Sequence, residues 1–218
     1  MSQTSRQRIV LLGPPASGKG TQGRRLAEEL GLGYLSTGSL LRRHVAEKSE
    51  LGKKAEPILA RGEYLPDDLM EPILEEWLVA QADHGWVLDG FPRSRPQATW
   101  LDQWLRDHHS PLNAAICLEV PYEELLARVL DRVECPSCRW SGNTGDLGEN
   151  QICPECGATA GRRSDDTEEN LARRYREYTE ITGPAIEYYR DNGTLESIDA
   201  TAPQPEVAAN LLKKITRR

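Results

Sequence analysis

The sequence predicts an α/β fold in which a parallel, five-stranded sheet is flanked by helices. Short apolar runs alternate with segments of helical periodicity along the 218 residues, and this alternation is typical of a parallel sheet covered on both faces. Two stretches, 36–65 and 133–163, break the rhythm and indicate inserts. The expected strands are Ile9 to Leu12, Gly33 to Leu35, Trp86 to Leu88, Ala114 to Leu118 and Leu195 to Ile198.

The expected helices connect these strands, and the last one follows the final strand. They are Lys19 to Leu30, Ser39 to Glu47, Leu51 to Ala60, Asp67 to Ala82, Arg95 to Asp107, Tyr122 to Val133, Thr167 to Arg190 and Pro205 to Ile215. In open parallel sheets, ligands bind beyond the carboxyl ends of the strands. We therefore expect a binding cleft at that edge, with the two inserts above it.

A glycine-rich loop follows the first strand and opens the first helix. It reads Gly13-Pro14-Pro15-Ala16-Ser17-Gly18-Lys19-Gly20-Thr21. Backbone N–H groups of such a loop cradle phosphates, the helix N-terminus adds positive potential, and the lysine reaches the terminal phosphates. Gly20 separates the lysine from the hydroxyl of Thr21, which is a variant of the usual pattern. A Gly/Pro turn before an ordinary helix is the alternative, but the order of parts favours a site for a nucleoside triphosphate.

Composition argues against a general nucleic-acid binder. The formal net charge is -7 at pH 7, whereas proteins that follow a phosphate backbone concentrate positive charge. The length suits one domain with inserts. The first apolar run is too short for a signal-peptide core, and nothing approaches a membrane span. We expect a cytoplasmic enzyme in which local arginine clusters bind phosphate.

Four cysteines lie in the second irregular stretch. Cys135, Cys138, Cys153 and Cys156 have the spacing C-x2-C-x14-C-x2-C, just short of the usual zinc-ribbon window. Four thiolates suit tetrahedral zinc and leave no open position, so the metal should be structural. Two disulfides or unrelated core thiols are the alternatives, which a reducing compartment and hydrophilic surroundings disfavour. Cys117, alone in an apolar strand, is expected in the core.

Further motifs occur in a fixed order along the chain. They are Ser36-Thr37-Gly38 followed by Arg42, Asp89-Gly90-Phe91-Pro92-Arg93 with Gln97, Arg128 with Arg132, and Arg163 with Asp165, Asp166 and Arg174. Together with the phosphate loop and the cysteines, they resemble the adenylate kinase family in its long-lid, zinc-bearing bacterial form, over nearly the whole chain. The resemblance implies transfer of the γ-phosphoryl group of ATP to AMP, with Mg²⁺, giving two ADP.

The resemblance also implies the domain organisation. It predicts the P-loop NTPase fold, with a core formed by residues 1–35, 66–132 and 164–218. The segment 36–65 is implied to bind the nucleoside monophosphate, and 133–163 to form the zinc lid. We expect a monomer whose partners are ATP, AMP and ADP, without nucleic acid or membrane.

The resemblance assigns residues to each ligand. Those implied for ATP are Ala16, Ser17, Gly18, Lys19, Gly20, Thr21, Arg128, Arg132 and Ala202. Those implied for AMP are Thr37, Arg42, Glu63, Tyr64, Leu65, Gly90, Phe91, Pro92, Arg93, Gln97, Arg163 and Arg174, with 63–65 contributing backbone groups. Those implied to be catalytic are Lys19, Arg93, Arg132, Arg163 and Arg174. Asp89, at the end of a strand, is implied to hold magnesium through water.

Phosphoryl transfer spreads negative charge over the equatorial oxygens, so it needs fixed positive charge, which arginine supplies. Arg128 and Arg132 share a helix face, although the same spacing allows an exposed salt bridge between Glu124 and Arg128. Asp166 with Glu169 has the pattern of a capping box, so the alternative role of the Asp166 carboxylate is simply to cap the end of a helix. The alternative for Asp89 is a turn residue.

Four positions depart from the family's pattern. Ala16 replaces a loop glycine, which costs free energy if its φ is positive. Ser39 replaces an acidic residue near the magnesium, and Arg139-Trp140-Ser141 replaces a Tyr-His pair in the lid. Ala202 replaces a lysine, although a backbone carbonyl can still serve the ATP base there.

The sequence is also compatible with two other functions. One is a kinase of another nucleoside monophosphate, which the base pocket around Thr37, Leu65 and Gln97 would decide. The other is a P-loop switch protein whose zinc ribbon contacts a nucleic acid, and the acidic balance and the arginine set argue against it.

Overall fold

The computed structural model describes residues 7–61, 63–138 and 140–216, so Arg139 lies outside the described residues. Seven strands are found in these ranges: β1 (Arg8–Leu12), β2 (Gly33–Ser36), β3 (Trp86–Asp89), β4 (Ala114–Glu119), β5 (Arg132–Glu134), β6 (Ser141–Asn143) and β7 (Leu195–Asp199). Five of them form one sheet in the order β2-β3-β1-β4-β7, with every neighbouring pair parallel. The other two pair antiparallel. The predicted five-stranded parallel sheet is confirmed.

Helices connect the strands as the sequence predicts. They are α1 (Lys19–Leu30), α2 (Thr37–Ala46), α3 (Glu50–Ala60), α4 (Asp67–Ala80), α5 (Arg95–Asp107), α6 (Tyr122–Asp131), α7 (Glu168–Glu177), α8 (Gly183–Asp191) and α9 (Gln204–Thr216). Short 3₁₀ turns cover Thr144–Asp146 and Glu149–Gln151, and a π-helical turn covers Tyr178–Thr182. Across the described parts of the chain, no helix combines the length and the apolar character needed to cross a bilayer.

The central strands bury side chains on both faces, which explains their nearly continuous apolar sequences. In β1, Val10 and Leu12 pack into one core cluster, whereas Ile9 and Leu11 pack into the other. Cys117 of β4 is 3% exposed and belongs to the first cluster, so its predicted place in the core is confirmed.

The end of the sixth helix was predicted wrongly. α6 stops at Asp131, and Arg132 begins β5 instead of continuing the helix to Val133. Val133 is 1% exposed and pairs with Gly142 of β6. A hairpin with a segment further along the chain therefore replaces the last helical turn, and helical periodicity alone does not indicate such a pairing.

The long helix predicted from Thr167 to Arg190 is divided by the π-helical turn. Pro184 has no backbone N–H and its ring clashes with the carbonyl of the preceding turn, so a regular α-helix cannot continue through it. A π turn accommodates such a residue while the chain keeps its direction. The first helical residue is Glu168, because the Thr167 hydroxyl accepts a hydrogen bond from the backbone N–H of Asn170, at 3.2 Å.

Strand register brings the phosphate loop next to the end of β3. Leu11 is paired with Asp89, and Leu12 is paired with Cys117 of β4. The loop that leaves β1 therefore starts between the carboxyl ends of two neighbouring strands, which is where ligands bind in sheets of this kind.

Candidate active site

The glycine-rich loop lies directly on the carboxyl edge of the sheet. Gly13 has a φ of 137°, and a Cβ there would lie 2.6 Å from the carbonyl oxygen of Leu118 at the end of β4. Only glycine lets the loop start this close to the sheet. Ala16 has a φ of 64°, in the left-handed region, which costs a residue with a Cβ about 1 kcal/mol. The loop keeps its shape at that cost.

Lys19 is the first residue of α1, and its ammonium group folds back over the loop. Nζ donates hydrogen bonds to the carbonyl oxygens of Gly13, at 2.8 Å, and Pro14, at 2.7 Å. Burial lowers the pKa of Lys19 to about 8, although the charge of nearby Asp89 opposes the shift. The ammonium is therefore held over the loop by neutral acceptors, which phosphate oxygens can replace.

Asp89 is the last residue of β3 and is 7% exposed. The Tyr34 hydroxyl lies 3.2 Å from its Oδ2 and 3.3 Å from the carbonyl oxygen of Gly20. Burial, followed by the charge of Asp89, raises the pKa of Tyr34, so the phenol stays protonated and can donate. No described residue donates to Oδ1 of Asp89. The carboxylate is thus fixed at one oxygen and open at the other, rather than serving as a turn residue.

A cleft of about 580 Å³ opens above the loop. Every residue that the resemblance implies for ATP lines it, as does Asp89. Arginines from widely separated segments share the same walls: Arg42, Arg93, Arg128, Arg132, Arg163 and Arg174. The lid contributes Glu134, Ser141, Gly142 and Asn143. The cleft therefore concentrates positive charge in a chain whose overall charge is negative.

Two carboxylates pair with arginines that line the cleft. Asp165 lies 2.6 Å from Arg163 and 3.5 Å from Arg174, and Glu134 of β5 lies 3.4 Å from Arg163. Burial raises the pKa of Asp165, but the hydrogen bond and charge of Arg163 outweigh it and lower that pKa to about 2. Burial, and then the charge of Arg163, lower the pKa of Arg42 to about 10. Asp165 thus holds arginines together that repel one another.

The prediction that Asp166 forms a capping box was wrong. Its carboxylate accepts two hydrogen bonds from Arg132, one of them from Nε at 2.7 Å, and its side chain is 3% exposed. The helix cap is Thr167 instead. A buried, bidentate pair of this kind fixes a guanidinium firmly. Asp166 therefore orients Arg132 at the point where the lid leaves the core.

Arg128 makes the salt bridge that the helix spacing allows, together with a second contact that the sequence did not indicate. Nε donates to Glu124, at 3.1 Å, as in a helical salt bridge, and Nη2 donates to the carbonyl oxygen of Ala200, at 2.8 Å. Ala202, two residues further on, also lines the cleft. The guanidinium is therefore held between α6 and the loop after β7.

A second pocket lies beside the cleft, on the side of the first insert. Its lining consists of Thr37, Leu41, Tyr64, Leu65, Met70, Gly90, Phe91, Arg93 and Gln97. It holds about 10 Å³, which is room for about one water molecule. A nucleobase can enter only if part of this wall moves.

Polar side chains in this pocket are engaged with the protein. The Thr37 hydroxyl donates to the carbonyl oxygen of Gly90, at 2.9 Å. Gly90 has a φ of 83°, and a Cβ there would lie 2.6 Å from that hydroxyl, so packing within the protein already requires glycine. Gln97 accepts from the backbone N–H of Arg93, at 2.7 Å, and donates to Asp67, at 2.5 Å.

Glu63 and Ser39 occupy different surroundings. The Glu63 side chain is exposed and paired with Arg61 at 2.8 Å, so it points away from both cavities and leaves only its backbone for a ligand. Ser39 lines the cleft and accepts a hydrogen bond from Arg42 Nη2, at 3.2 Å. The serine that replaces an acidic residue thus supports an arginine.

The four cysteines of the lid form one cluster. Their sulfur atoms all lie within 4.8 Å of one another, and the Cys135–Cys156 and Cys138–Cys153 distances are both 3.6 Å. A tetrahedron with metal–sulfur bonds of about 2.3 Å has edges of about 3.8 Å. A disulfide needs about 2.05 Å, and all four thiols are free. The cluster fits a metal ion and excludes the disulfide alternative.

Local structure prepares this cluster for a metal. Hydrogen bonds from backbone N–H groups, of which that of Cys138 has the largest effect, lower the pKa of Cys135 to about 7. A lower pKa favours the thiolate that a metal binds. Trp140 packs around the buried cysteines, and a Cβ at Gly142 would lie 2.4 Å from its ring. Among the described lid residues, Ser141 to Asn143 line the cleft and Trp140 does not.

Sequence reasoning missed the roles of Tyr34, Glu134 and Asp165. Tyr34 carries no motif, and only the pairing of β2 with β3 brings it to Asp89. Glu134 stands beside a cysteine, and its contact with Arg163 spans the whole lid. Asp165 was noted only as part of a motif. The sequence signal for its pairing with Arg163 was that Asp165 lies two residues after that arginine.

Comparison with known proteins gives consistent matches. The family model described as adenylate kinase matches residues 11–194. An adenylate kinase of Thermosipho africanus is 41% identical over 212 residues, or 96% of this chain and 99% of that protein. One of Thermotoga petrophila is 39% identical over 209 residues (94% and 95%), and one of Archaeoglobus fulgidus is 40% identical over 199 residues (88% and 90%). The similarity extends over the sheet, the inserts and the cleft.

Proposed function

The chain belongs to the adenylate kinase family and catalyses the reversible transfer of the γ-phosphoryl group of ATP to AMP, and we propose that this transfer takes place in the arginine-lined cleft. One observation carries the proposal: the phosphate loop, Asp89 and arginines from separate segments all line that single cleft. We also propose that the protein acts as a monomer.

The phosphate loop and Lys19 bind the β- and γ-phosphates of ATP. In the structure, the Lys19 ammonium donates to two loop carbonyl oxygens. When ATP binds, the ammonium donates to phosphate oxygens instead. Arg132, fixed by Asp166, and Arg163 and Arg174, held by Asp165, face the phosphoryl group as it moves. The bonds to the moving phosphoryl group are loose in the transition state, and the negative charge is spread over its oxygens. Arginines that are already in place stabilise this charge without reorganising.

AMP binds on the side of the first insert. Arg42 and Arg93 hold its phosphate, and the base enters the pocket beside Thr37, Leu65 and Gln97. That pocket holds only about 10 Å³ here, so the segment 36–65 moves when AMP arrives. Closure of this segment and of the lid 133–163 then excludes water from the phosphates.

We expect substitutions of different arginines to change the KM for ATP and the KM for AMP. Arg42→Gln should raise the KM for AMP by about tenfold to a hundredfold, because a charged hydrogen bond contributes about 1.5–3 kcal/mol. Arg128→Gln should instead raise the KM for ATP, because Arg128 lies at the loop of Ala200 to Ala202. Initial rates measured with each substrate varied in turn test both. If the two variants affect the same substrate, the two sides of the cleft have been assigned wrongly.

Asp89 is the proposed magnesium residue. A magnesium ion held here would neutralise charge on the phosphates. One carboxylate oxygen of Asp89 is fixed by Tyr34 while the other has no donor among the described residues, so it can accept hydrogen bonds from water on the ion. Asp89 also supports the charge of Lys19.

The four cysteines hold a structural zinc ion. All four ligand positions are taken by thiolates, so the ion has no vacancy for substrate. The cluster is also the core of the lid, since few apolar residues accompany it. Zinc therefore replaces the hydrophobic core that this polar segment lacks.

Removal of one ligand should separate the role of zinc from the chemistry. Cys153→Ser is expected to lose the ion and to lower the thermal midpoint, because structural zinc contributes directly to folding, while activity persists at low temperature. Metal analysis and thermal unfolding measure both effects. Ser137→Ala, between the first two cysteines, is the control that should retain zinc. Protein purified without chelator that contains no zinc would contradict the proposal.

A further inference from the structure

Tyr64 lies where the first insert returns to the core, at the border of the two cavities. Among the described residues, only Tyr64, Gly90 and Arg93 line both the cleft and the small pocket. The guanidinium carbon of Arg93 lies 4.2 Å from the centroid of the Tyr64 ring. This is well within the distance of about 6 Å at which a cation is attracted to an aromatic face.

The remaining contacts of Arg93 leave one edge of its guanidinium open. Nε donates to the carbonyl oxygen of Gly90, at 2.7 Å. No described residue accepts a hydrogen bond from Nη1 or Nη2. The tyrosine ring covers the flat face and the carbonyl holds the inner nitrogen, so the two outer nitrogens are left for an anion. A phosphate binds such an edge with two parallel hydrogen bonds.

We propose that the ring of Tyr64 is a positioning residue, which holds Arg93 in the orientation that receives the phosphate of the acceptor nucleotide. This inference rests on the proposed function, in which Arg93 binds that phosphate. Tyr64 belongs to the segment 36–65 and Arg93 to the core, so the stack forms only when that segment lies against the core. Closure of the insert then also sets the arginine.

The aromatic face, rather than the hydroxyl, carries this role. No described residue forms a hydrogen bond with the Tyr64 hydroxyl, whereas the ring quadrupole attracts the cation. Phenylalanine keeps that face. Leucine fills much of the same space without it, which makes Tyr64→Phe and Tyr64→Leu a matched pair.

Calorimetric binding of AMP and of adenosine to the complete protein tests the proposal. Tyr64→Leu should weaken AMP binding about fivefold to tenfold, as expected for a partly desolvated cation–π contact. Adenosine has no phosphate, so its affinity should stay within about twofold of wild type. Tyr64→Phe should restore most of the AMP affinity. In initial-rate assays, the KM for AMP should rise in Tyr64→Leu, whereas the KM for ATP should not.

Other outcomes separate the possible errors. An equal loss for AMP and adenosine would mean that the ring packs on the base, and unchanged AMP affinity in Tyr64→Leu would mean that it positions nothing; either result overturns the inference. Arg93→Gln tests the underlying assignment. If that variant binds AMP normally, the proposed role of Arg93 fails as well. If it binds AMP poorly while Tyr64→Leu binds normally, only the inference about Tyr64 fails.

Discussion

Lys19→Met is expected to lower kcat by at least two to three orders of magnitude, because removing one preorganised donor to developing charge costs roughly 2.7–4 kcal/mol. The ammonium is already held over the phosphate loop, 2.8 Å from the carbonyl oxygen of Gly13. Methionine matches the length of the stem but carries no charge. Single-turnover measurements with ATP and AMP would isolate the chemical step from product release.

Lys53→Met is the matched control. Lys53 is an exposed lysine on α3, paired with Glu50 at 2.6 Å, and exposed pairs contribute little. This variant should react like the wild type. Activity of Lys19→Met within tenfold of the wild type would remove Lys19 from the reaction, whatever its position in the cleft.

Asp165→Asn should lower kcat/KM by about tenfold to a hundredfold, since it removes charged hydrogen bonds that each contribute about 1.5–3 kcal/mol. The carboxylate lies 2.6 Å from Arg163 and 3.5 Å from Arg174. Without its charge, Arg163, Arg174 and Arg42 repel one another and lose the arrangement that receives the phosphoryl group. Initial rates measured at varied concentrations of AMP and ATP give kcat/KM for each substrate.

Asp68→Asn, on the exposed first turn of α4, serves as the control for Asp165→Asn. Thermal unfolding of both variants checks that the fold survives. We expect Asp165→Asn to lose activity while its cleft still closes on nucleotide. Full activity in that variant would mean that the arginines keep their places without Asp165.

Local patterns in the sequence were sufficient for most of the architecture. The apolar runs are buried on both faces, so their strand character does not depend on a distant partner. α1 has the predicted bounds, because the phosphate loop ends at Gly18 and the left-handed Gly31 closes the helix. Spacing alone also indicated the cysteine cluster, since two Cys-x-x-Cys turns need only meet face to face.

Features that depend on distant partners could not be predicted. Asp166 has the local pattern of a cap, but its carboxylate contacts Arg132, 34 residues earlier in the chain. Arg132 was expected in a helix and begins a hairpin instead, because β6 offers a partner for it. Tyr34 reaches Asp89 only through the order of the strands.

A survey of phosphoryl acceptors tests most directly whether this chain transfers the γ-phosphoryl group of ATP to AMP. Purified protein is incubated with ATP, Mg²⁺ and one nucleoside monophosphate at a time, AMP, GMP, CMP or UMP, and all nucleotides are quantified. We expect rapid consumption of AMP, with two ADP formed for each AMP consumed, and slow or no reaction of the other monophosphates. Preference for another monophosphate, or formation of ADP and free phosphate without consumption of AMP, would contradict this expectation.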